Sequence, residues 1–442
     1  LFKTVLRRLN KKLHNLKQCK GENFMNSMIV ALLILAATIV LFIWEPIPIV
    51  VTAIAASILY AYTGIIEVNT IFSGYNSTTI VLLAAMMVVG ASLFHTGVTD
   101  IIGDKMIKIT GKSERNIILV TLIVSCLLSA VCSNIGVMVA MAPLVTAMCI
   151  SAGVGPSKAL LGLLFGAQFG GFVTLVGVGS NASAAGVMQE LGYEPFGFFS
   201  ITPFGIGICI IGILYYTFIG MKMIPDTGYV PEFAQAEKKE FNKKNAAICV
   251  ITMIAVLAVI ASGSKTFPMH IAAVVGALII VGSGCMTVKD AIKAIDWNCL
   301  ILVGALSAIS AGVKNCGAGD AMANVIINIL GDNPSPFMIS TVIFIAASIL
   351  TQVMSNIPTI LIFMPIGLSI AEQIGVSPYP IAMIITLAGA ASYATPFAAP
   401  QNMMTVGWTK YKFLDFVKIG IPMVILTYVV VVALIPVFLP YR

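Results

Sequence analysis

Charge is what this chain has least of. Asp, Glu, Lys and Arg make up 10% of its 442 residues and hydrophobic residues 59%, whereas soluble domains carry roughly 25% charged and 45–50% apolar residues. One globular core cannot hide that surplus, so a soluble protein is excluded and most apolar side chains must meet lipid. Histidine is scarce too, at three residues, and none has metal-ligand spacing, which argues against a metal enzyme. The nine cysteines form no CxxC pair and lie mostly in apolar runs, where they read as small apolar filler. The short alternating segments of a β-barrel are missing. The formal net charge of +7 sits between apolar runs and follows the bias of cytoplasmic loops, so no nucleic-acid partner is implied.

What is present is a succession of apolar runs, many near the ~18 residues that span a bilayer as a helix. The fold class is therefore an all-α polytopic membrane protein of the cell membrane. The expected crossings are 25–44, 46–64, 78–98, 158–188, 200–221, 246–263, 268–283, 298–316, 379–405 and 415–438. Residues 115–151 and 336–373 read instead as re-entrant hairpins. Each has two arms of about 15–18 residues around a polar tip, short for full crossings. The hydrophilic stretch 222–245 separates a first repeat, 25–221, from a second, 246–442. Residues 1–24 hold seven Lys/Arg and precede the first methionine, Met25. They are either an upstream extension of a start at Met25 or a basic tail on the membrane surface.

The halves repeat. Gly97-x-x-Asp100 returns as Gly317-x-x-Asp320, and Ser133-Asn134-Ile135 as Ser355-Asn356-Ile357. Pro143, Gly153-Val154 and Pro156 return as Pro365, Gly375-Val376 and Pro378, and Thr174 and Asn181 as Thr395 and Asn402. An odd number of crossings in each half turns the second copy upside down, the inverted-repeat arrangement of secondary transporters. With Met25 outside, fifteen basic residues fall inside, among them Lys105, Arg115, Lys158, Lys222, Lys289 and Lys412, and three outside: Lys265, Lys314 and Arg442. This orientation obeys the positive-inside rule and makes 222–245 a cytoplasmic linker, although the basic tail would lie on the wrong side.

The hairpin tips carry the chemistry. The first reads Ser129-Ala-Val-Cys-Ser133-Asn134-Ile135-Gly136 and the second Thr351-Gln-Val-Met-Ser355-Asn356-Ile357-Pro358. Each has a hydroxyl four residues before a Ser-Asn pair, a spacing that shares one helical face. Gly136 and Pro358 break the helix beyond. After each hairpin comes a span rich in glycine or proline: Gly170-Gly171-Phe172-Val173-Thr174-Leu175-Val176-Gly177-Val178-Gly179-Ser180-Asn181, and Ala394-Thr395-Pro396-Phe397-Ala398-Ala399-Pro400-Gln401-Asn402. Broken helices free carbonyls at one end and N–H groups at the other. Carbonyls, hydroxyls and an Asn oxygen suit a hard cation such as sodium, and the N–H end suits an anion.

On these tips and unwound segments the sequence resembles the divalent-anion:sodium symporter family of the ion transporter superfamily, over nearly all of residues 25–442. The resemblance implies a homodimer in which each subunit has a scaffold and a transport domain, working by an elevator motion. It implies one sodium site of Ser129, Ser133, Asn134 and the Gly177 carbonyl, and a second of Thr351, Ser355, Asn356 and the Ala398 carbonyl. Substrate carboxylates would lie between the tips, against Asn134, Ile135, Val178, Asn356, Ile357, Ala399 and Pro400. The family pattern has Thr where this chain has Ile135, Ile357, Val178 and Ala399. Four carboxylate-gripping hydroxyls are thus gone, which extends the substrate reading from dicarboxylates to less polar anions, such as a monocarboxylate or an aromatic acid.

The function expected is sodium-coupled symport of a small organic anion, with sodium as coupling ion, no cofactor, and the bacterial cytoplasmic membrane as location. A proton-coupled transporter or sodium/proton antiporter would need ionisable groups buried at membrane depth, and Glu45, Asp104, Asp296, Asp320 and Glu372 all fall at segment ends. An exchanger of a sulfate-like anion would hold a Lys or Arg beside a tip, and neither tip has one. An intramembrane enzyme would need a base or metal beside its nucleophile, and neither Ser133 nor Ser355 has His or Asp nearby in sequence.

Overall fold

In lipid the backbone must satisfy its own hydrogen bonds, so apolar runs fold as helices wherever glycine, proline or a polar turn does not stop them. A computed structural model describes residues 22–231, 242–264, 266–330 and 334–441. Expectations for residues 1–21 of the basic tail and 232–241 of the linker lie outside the described residues. Among the described residues there is no strand.

The first half comprises α1 (Glu22–Trp44), α2 (Ile49–Tyr62), a 3-10 segment (Val68–Asn76), α3 (Thr78–His95) and α4 (Val98–Thr110). It continues with α5 (Glu114–Ser129), α6 (Asn134–Ala152), α7 (Ser157–Gly171), α8 (Gly179–Glu190) and α9 (Thr202–Tyr215), which runs on through a π turn at Tyr216–Gly220. The second half repeats the order with α10 (Lys243–Ala261), α11 (Met269–Gly282), α12 (Val288–Ala294), α13 (Trp297–Asn315) and α14 (Ala318–Leu330). Then come α15 (Pro336–Thr351), α16 (Asn356–Gln373), α17 (Pro378–Ala390), a 3-10 turn (Pro396–Ala398), α18 (Pro400–Thr409) and α19 (Phe413–Phe438).

The two hairpin segments form helix pairs, α5–α6 and α15–α16. Both following spans are broken, α7 from α8 and α17 from α18. Seven helices among the described residues are long and apolar enough to cross a membrane; six belong to the ten crossings expected, and the seventh is α6, an arm of the first hairpin whose 19 residues exceed the short arm expected. The shortfall lies in α2 and α11, of 14 residues each, and in the two broken spans. Fourteen residues rise about 21 Å, less than the ~30 Å hydrocarbon core. The 3-10 segment, α4, α12 and α14 were expected as loops. In α4, Lys105 and Lys108 are interleaved with apolar residues at helical spacing, which suits a helix lying along an interface rather than crossing it.

The long helix α19 fixes the direction of the hairpins. Its 26 residues span about 39 Å. At its start the Tyr411 hydroxyl donates to Pro225 O at 2.9 Å. Beside it Ser157 donates to Asp226 at 2.8 Å and Lys158 pairs with Glu114 at 3.5 Å, which is the open end of the first hairpin. At its other end Tyr441 O accepts from the Ser377 N–H at 3.0 Å and the Tyr441 hydroxyl meets Ser340 Oγ at 2.6 Å, which is the open end of the second. The hairpins therefore open toward opposite ends of α19.

Their supports, α7 and α17, form the buried centre: every residue of α7 except Lys158 is buried. The reason is in Gly162, Gly166 and Gly170, one turn apart on one face. A Cβ on Gly170 would lie 2.1 Å from Cys126 O, and one on Gly166 would lie 2.6 Å from Leu122 O. Only glycine lets α7 approach the α5 backbone this closely, a small-residue seam typical of helices in lipid. Large apolar side chains such as Leu33, Trp44, Leu127, Leu278 and Val437 remain exposed, as a lipid-facing surface requires.

Candidate functional site

The first tip begins where α5 ends at Ser129 and resumes as α6 at Asn134. Ser133 is the N-cap: its hydroxyl accepts from the Gly136 N–H at 3.2 Å, a cap worth ~1 kcal/mol. The face-sharing expected for Ser129 and Ser133 fails because the helix stops between them. Ser129, fully buried, instead has its Oγ 2.6 Å from Asn134 Oδ1. That amide end also lies 3.1 Å from Gly177 O and 3.2 Å from Ala167 O. Turned nitrogen-in, the amide donates to these oxygens; turned oxygen-in, four oxygens converge. Ser129, Asn134 and Gly177 are therefore together as expected, and the Ala167 carbonyl joins them.

The second tip repeats this. Ser355 is at the N-cap of α16 but makes no capping hydrogen bond, since Pro358 has no N–H where Gly136 has one. Buried Thr351 donates to Asn356 Oδ1 at 3.0 Å and to Gly389 O at 2.6 Å. Ala398 is buried in the 3-10 turn.

Each unwound span is held by its asparagine. Asn181 Nδ2 donates to Gly171 O at 2.8 Å and Thr174 O at 3.1 Å. Asn402 Nδ2 donates to Ser392 O and Thr395 O, both at 2.8 Å. The Thr174 hydroxyl ties the first span to Ala130 O of its tip, and the Thr395 hydroxyl ties the second to Gln352 O. These straps satisfy carbonyls that would otherwise be orphaned at membrane depth. Val178 and Ala399 are extended and serve as N-caps of α8 and α18, so both helix N-termini begin at the breaks. Ile357 comes to the first span: a Cβ on Gly179 would meet Ile357 Cδ1 at 3.8 Å. Ile135 is exposed and Ile357 partly so.

Four amides and carbonyls escaped the sequence reading. Gln352 donates to Ala391 O at 2.9 Å and accepts from the Ala394 N–H at 2.8 Å. Gln168 donates across the halves to Asn402 Oδ1 at 2.8 Å and Ser392 O at 3.2 Å. The third and fourth are the carbonyls of Ala167 and Gly389. Gln168 could have been noticed as the sole amide side chain within the apolar run of α7; carbonyls leave no trace in a sequence. Among the residues whose burial is described, no Asp, Glu, Lys, Arg or His is buried. At the loop ends, burial pushes the Tyr193 and Tyr411 phenols well above the usual range, so neither titrates near neutrality.

The sequence matches the family described as citrate transporter over residues 39–387, with a second match over 267–442. An uncharacterized transporter of Escherichia coli strain K12 is 20% identical, aligned over 94% of this chain and 99% of its own. A probable sodium/sulfate cotransporter of Chlamydomonas reinhardtii is 29% identical over 34% of this chain and 17% of its own length. The crystal structure of the YdaH transporter of Alcanivorax borkumensis covers 94% of this chain and 98% of its own, with a TM-score of 0.62 at 14% identity. That last likeness is one of fold alone.

Proposed function

The chain belongs to the citrate transporter family of multi-pass membrane transporters, and from that premise we propose that it moves a small anion across the bacterial cytoplasmic membrane together with sodium. The observation that carries the reading is the meeting of Ser129 Oγ, Gly177 O and Ala167 O around the Asn134 amide, with a counterpart at Thr351, Asn356 and Gly389. Such uncharged oxygens suit a hard monovalent cation. Rotation of the Asn134 amide from nitrogen-in to oxygen-in converts a closed hydrogen-bond set into a ligand set. Ser133 shapes the first tip as a cap, Ser355 holds the N-cap position of the second, and the Ala398 carbonyl belongs to the second set.

The anion lies between the tips, against Asn134, Ile135, Val178, Asn356, Ile357, Ala399 and Pro400. The N-termini of α8 and α18 supply positive potential there without a fixed cation. The isoleucines favour an organic anion with an apolar part. A sulfate-like substrate is the second reading, supported by the sodium/sulfate cotransporter similarity. Hairpins opening to opposite ends of α19 support inverted repeats, and these support an elevator motion within a homodimer.

The test is uptake of labelled mono-, di- and tricarboxylates and sulfate into proteoliposomes, under a sodium gradient or a proton gradient alone. Sodium-driven uptake of at least one anion is expected. Full uptake on the proton gradient with sodium absent would overturn the sodium reading.

A further inference from the structure

One buried residue that breaks the symmetry between the two sites reaches across the halves. Gln168 in α7 is 4% exposed. The position 221 residues later, the offset that relates Asn181 to Asn402, is Gly389. The consequence is visible in the two strapping asparagines. Asn402 Oδ1 receives the Gln168 amide at 2.8 Å, whereas Asn181 Oδ1, equally buried, has no protein partner. The Gln168 link therefore runs from the first half to the second and has no mirror image.

Its position gives that link a meaning. Gln168 follows Ala167, whose carbonyl faces the Asn134 amide in the first oxygen cluster. Its side chain reaches Ser392 O at 3.2 Å. Ser392 follows Ala391, whose carbonyl accepts from Gln352 at 2.9 Å. Gln352 in turn follows Thr351, which donates to Asn356 in the second cluster. A continuous run of peptide and hydrogen bonds thus joins the two clusters, with the Gln168 amide as the side-chain bridge between the unwound spans. Tyr393 packs against Phe165 and Phe169, the ring neighbours of Gln168 on α7, at centroid distances of 6.1 and 5.9 Å. Hydrogen bonds in such a water-poor setting are strong and reinforce one another.

We propose that Gln168 is a positioning residue that couples the two sodium sites, so that filling one raises the affinity of the other. The inference rests on the sodium reading above. An ion drawing in the Ala167 carbonyl moves the turn of α7 that carries Gln168. The Gln168 amide then holds Ser392 and Asn402 where the second span can complete its own site. Coupling between sites of this kind is typically 5–150-fold in affinity.

The experiment is equilibrium binding of radioactive sodium to the full-length protein in lipid nanodiscs, with potassium chloride holding ionic strength constant. The wild type should bind with a Hill coefficient above one, approaching roughly two for two coupled sites. Gln168→Met keeps length and flexibility but cannot donate. It should bring the coefficient to about one and weaken half-saturation by roughly 2–12-fold, the square root of that coupling, with the number of ions bound at saturation unchanged. Gln168→Leu serves the same comparison if the methionine variant does not fold. A variant coefficient equal to that of the wild type, or a wild-type coefficient of one, overturns the coupling and leaves the sodium reading standing. Absence of saturable sodium binding to the wild type overturns both.

Discussion

Gly170→Ala tests whether the seam between α5 and α7 sets the geometry of the first oxygen cluster. The added Cβ would lie 2.1 Å from Cys126 O and 2.8 Å from Cys126 C. Both are backbone atoms and cannot swing aside. Restoring an ordinary contact of 3.4 Å requires the helices to part by about 1.3 Å (3.4 − 2.1) along that direction. Overpacking of this kind typically costs 1–3 kcal/mol. The same displacement separates the Ala167 carbonyl on α7 from Ser129 at the end of α5, where the oxygens now lie within 3.2 Å of the Asn134 amide. A binding constellation displaced by ~1 Å can lose function by as much as about 100-fold. The half-saturating sodium concentration should therefore rise at least about tenfold in proteoliposome uptake. Gly162→Ala is the control, on the same face two turns away. Its Cβ would meet Tyr216 Cε1 at 3.3 Å, a side-chain atom that can move a few tenths of an ångström. It should leave sodium dependence within about twofold, since 0.4 kcal/mol is that factor. If Gly170→Ala keeps wild-type stability and sodium dependence, the seam does not set the site.

Three further outcomes are expected. Ser129→Ala should weaken sodium dependence more than Ser133→Ala, because Ser129 touches Asn134 while Ser133 caps α6; uptake measured across sodium concentrations decides, and the reverse ranking refutes the assignment. Ile135→Thr combined with Ile357→Thr should improve competition by dicarboxylates relative to monocarboxylates, and an unchanged ranking means those side chains do not face the solute. In a cysteine-free background, an impermeant maleimide added to intact cells should label Ser377→Cys and spare Gln235→Cys. The opposite pattern would invert the orientation derived from the loop charges.

The helix pairs of the hairpins were legible because their signal is local, two apolar arms around a polar tip; the length argument fails for α6, whose 19 residues are long enough to cross. The unwound spans were legible because glycine and proline break helices whatever surrounds them. The missed helix α4 carries charges among its apolar residues, so a search for apolar runs passes over it. The face shared by Ser129 and Ser133 was misread because i, i+4 spacing applies only within a continuous helix, and α5 stops at Ser129. Sequence alone determined that the chain lives in lipid, that its halves carry the same short motifs in the same order, and which polar residues sit at the breaks, since these follow from composition, period and spacing. Tertiary structure alone decided which oxygens converge. The carbonyls of Ala167 and Gly389 have no side-chain signature, and Gln168 meets Asn402 across 234 residues, a contact made only when the glycine seam and the strapped spans bring α7 and α18 together.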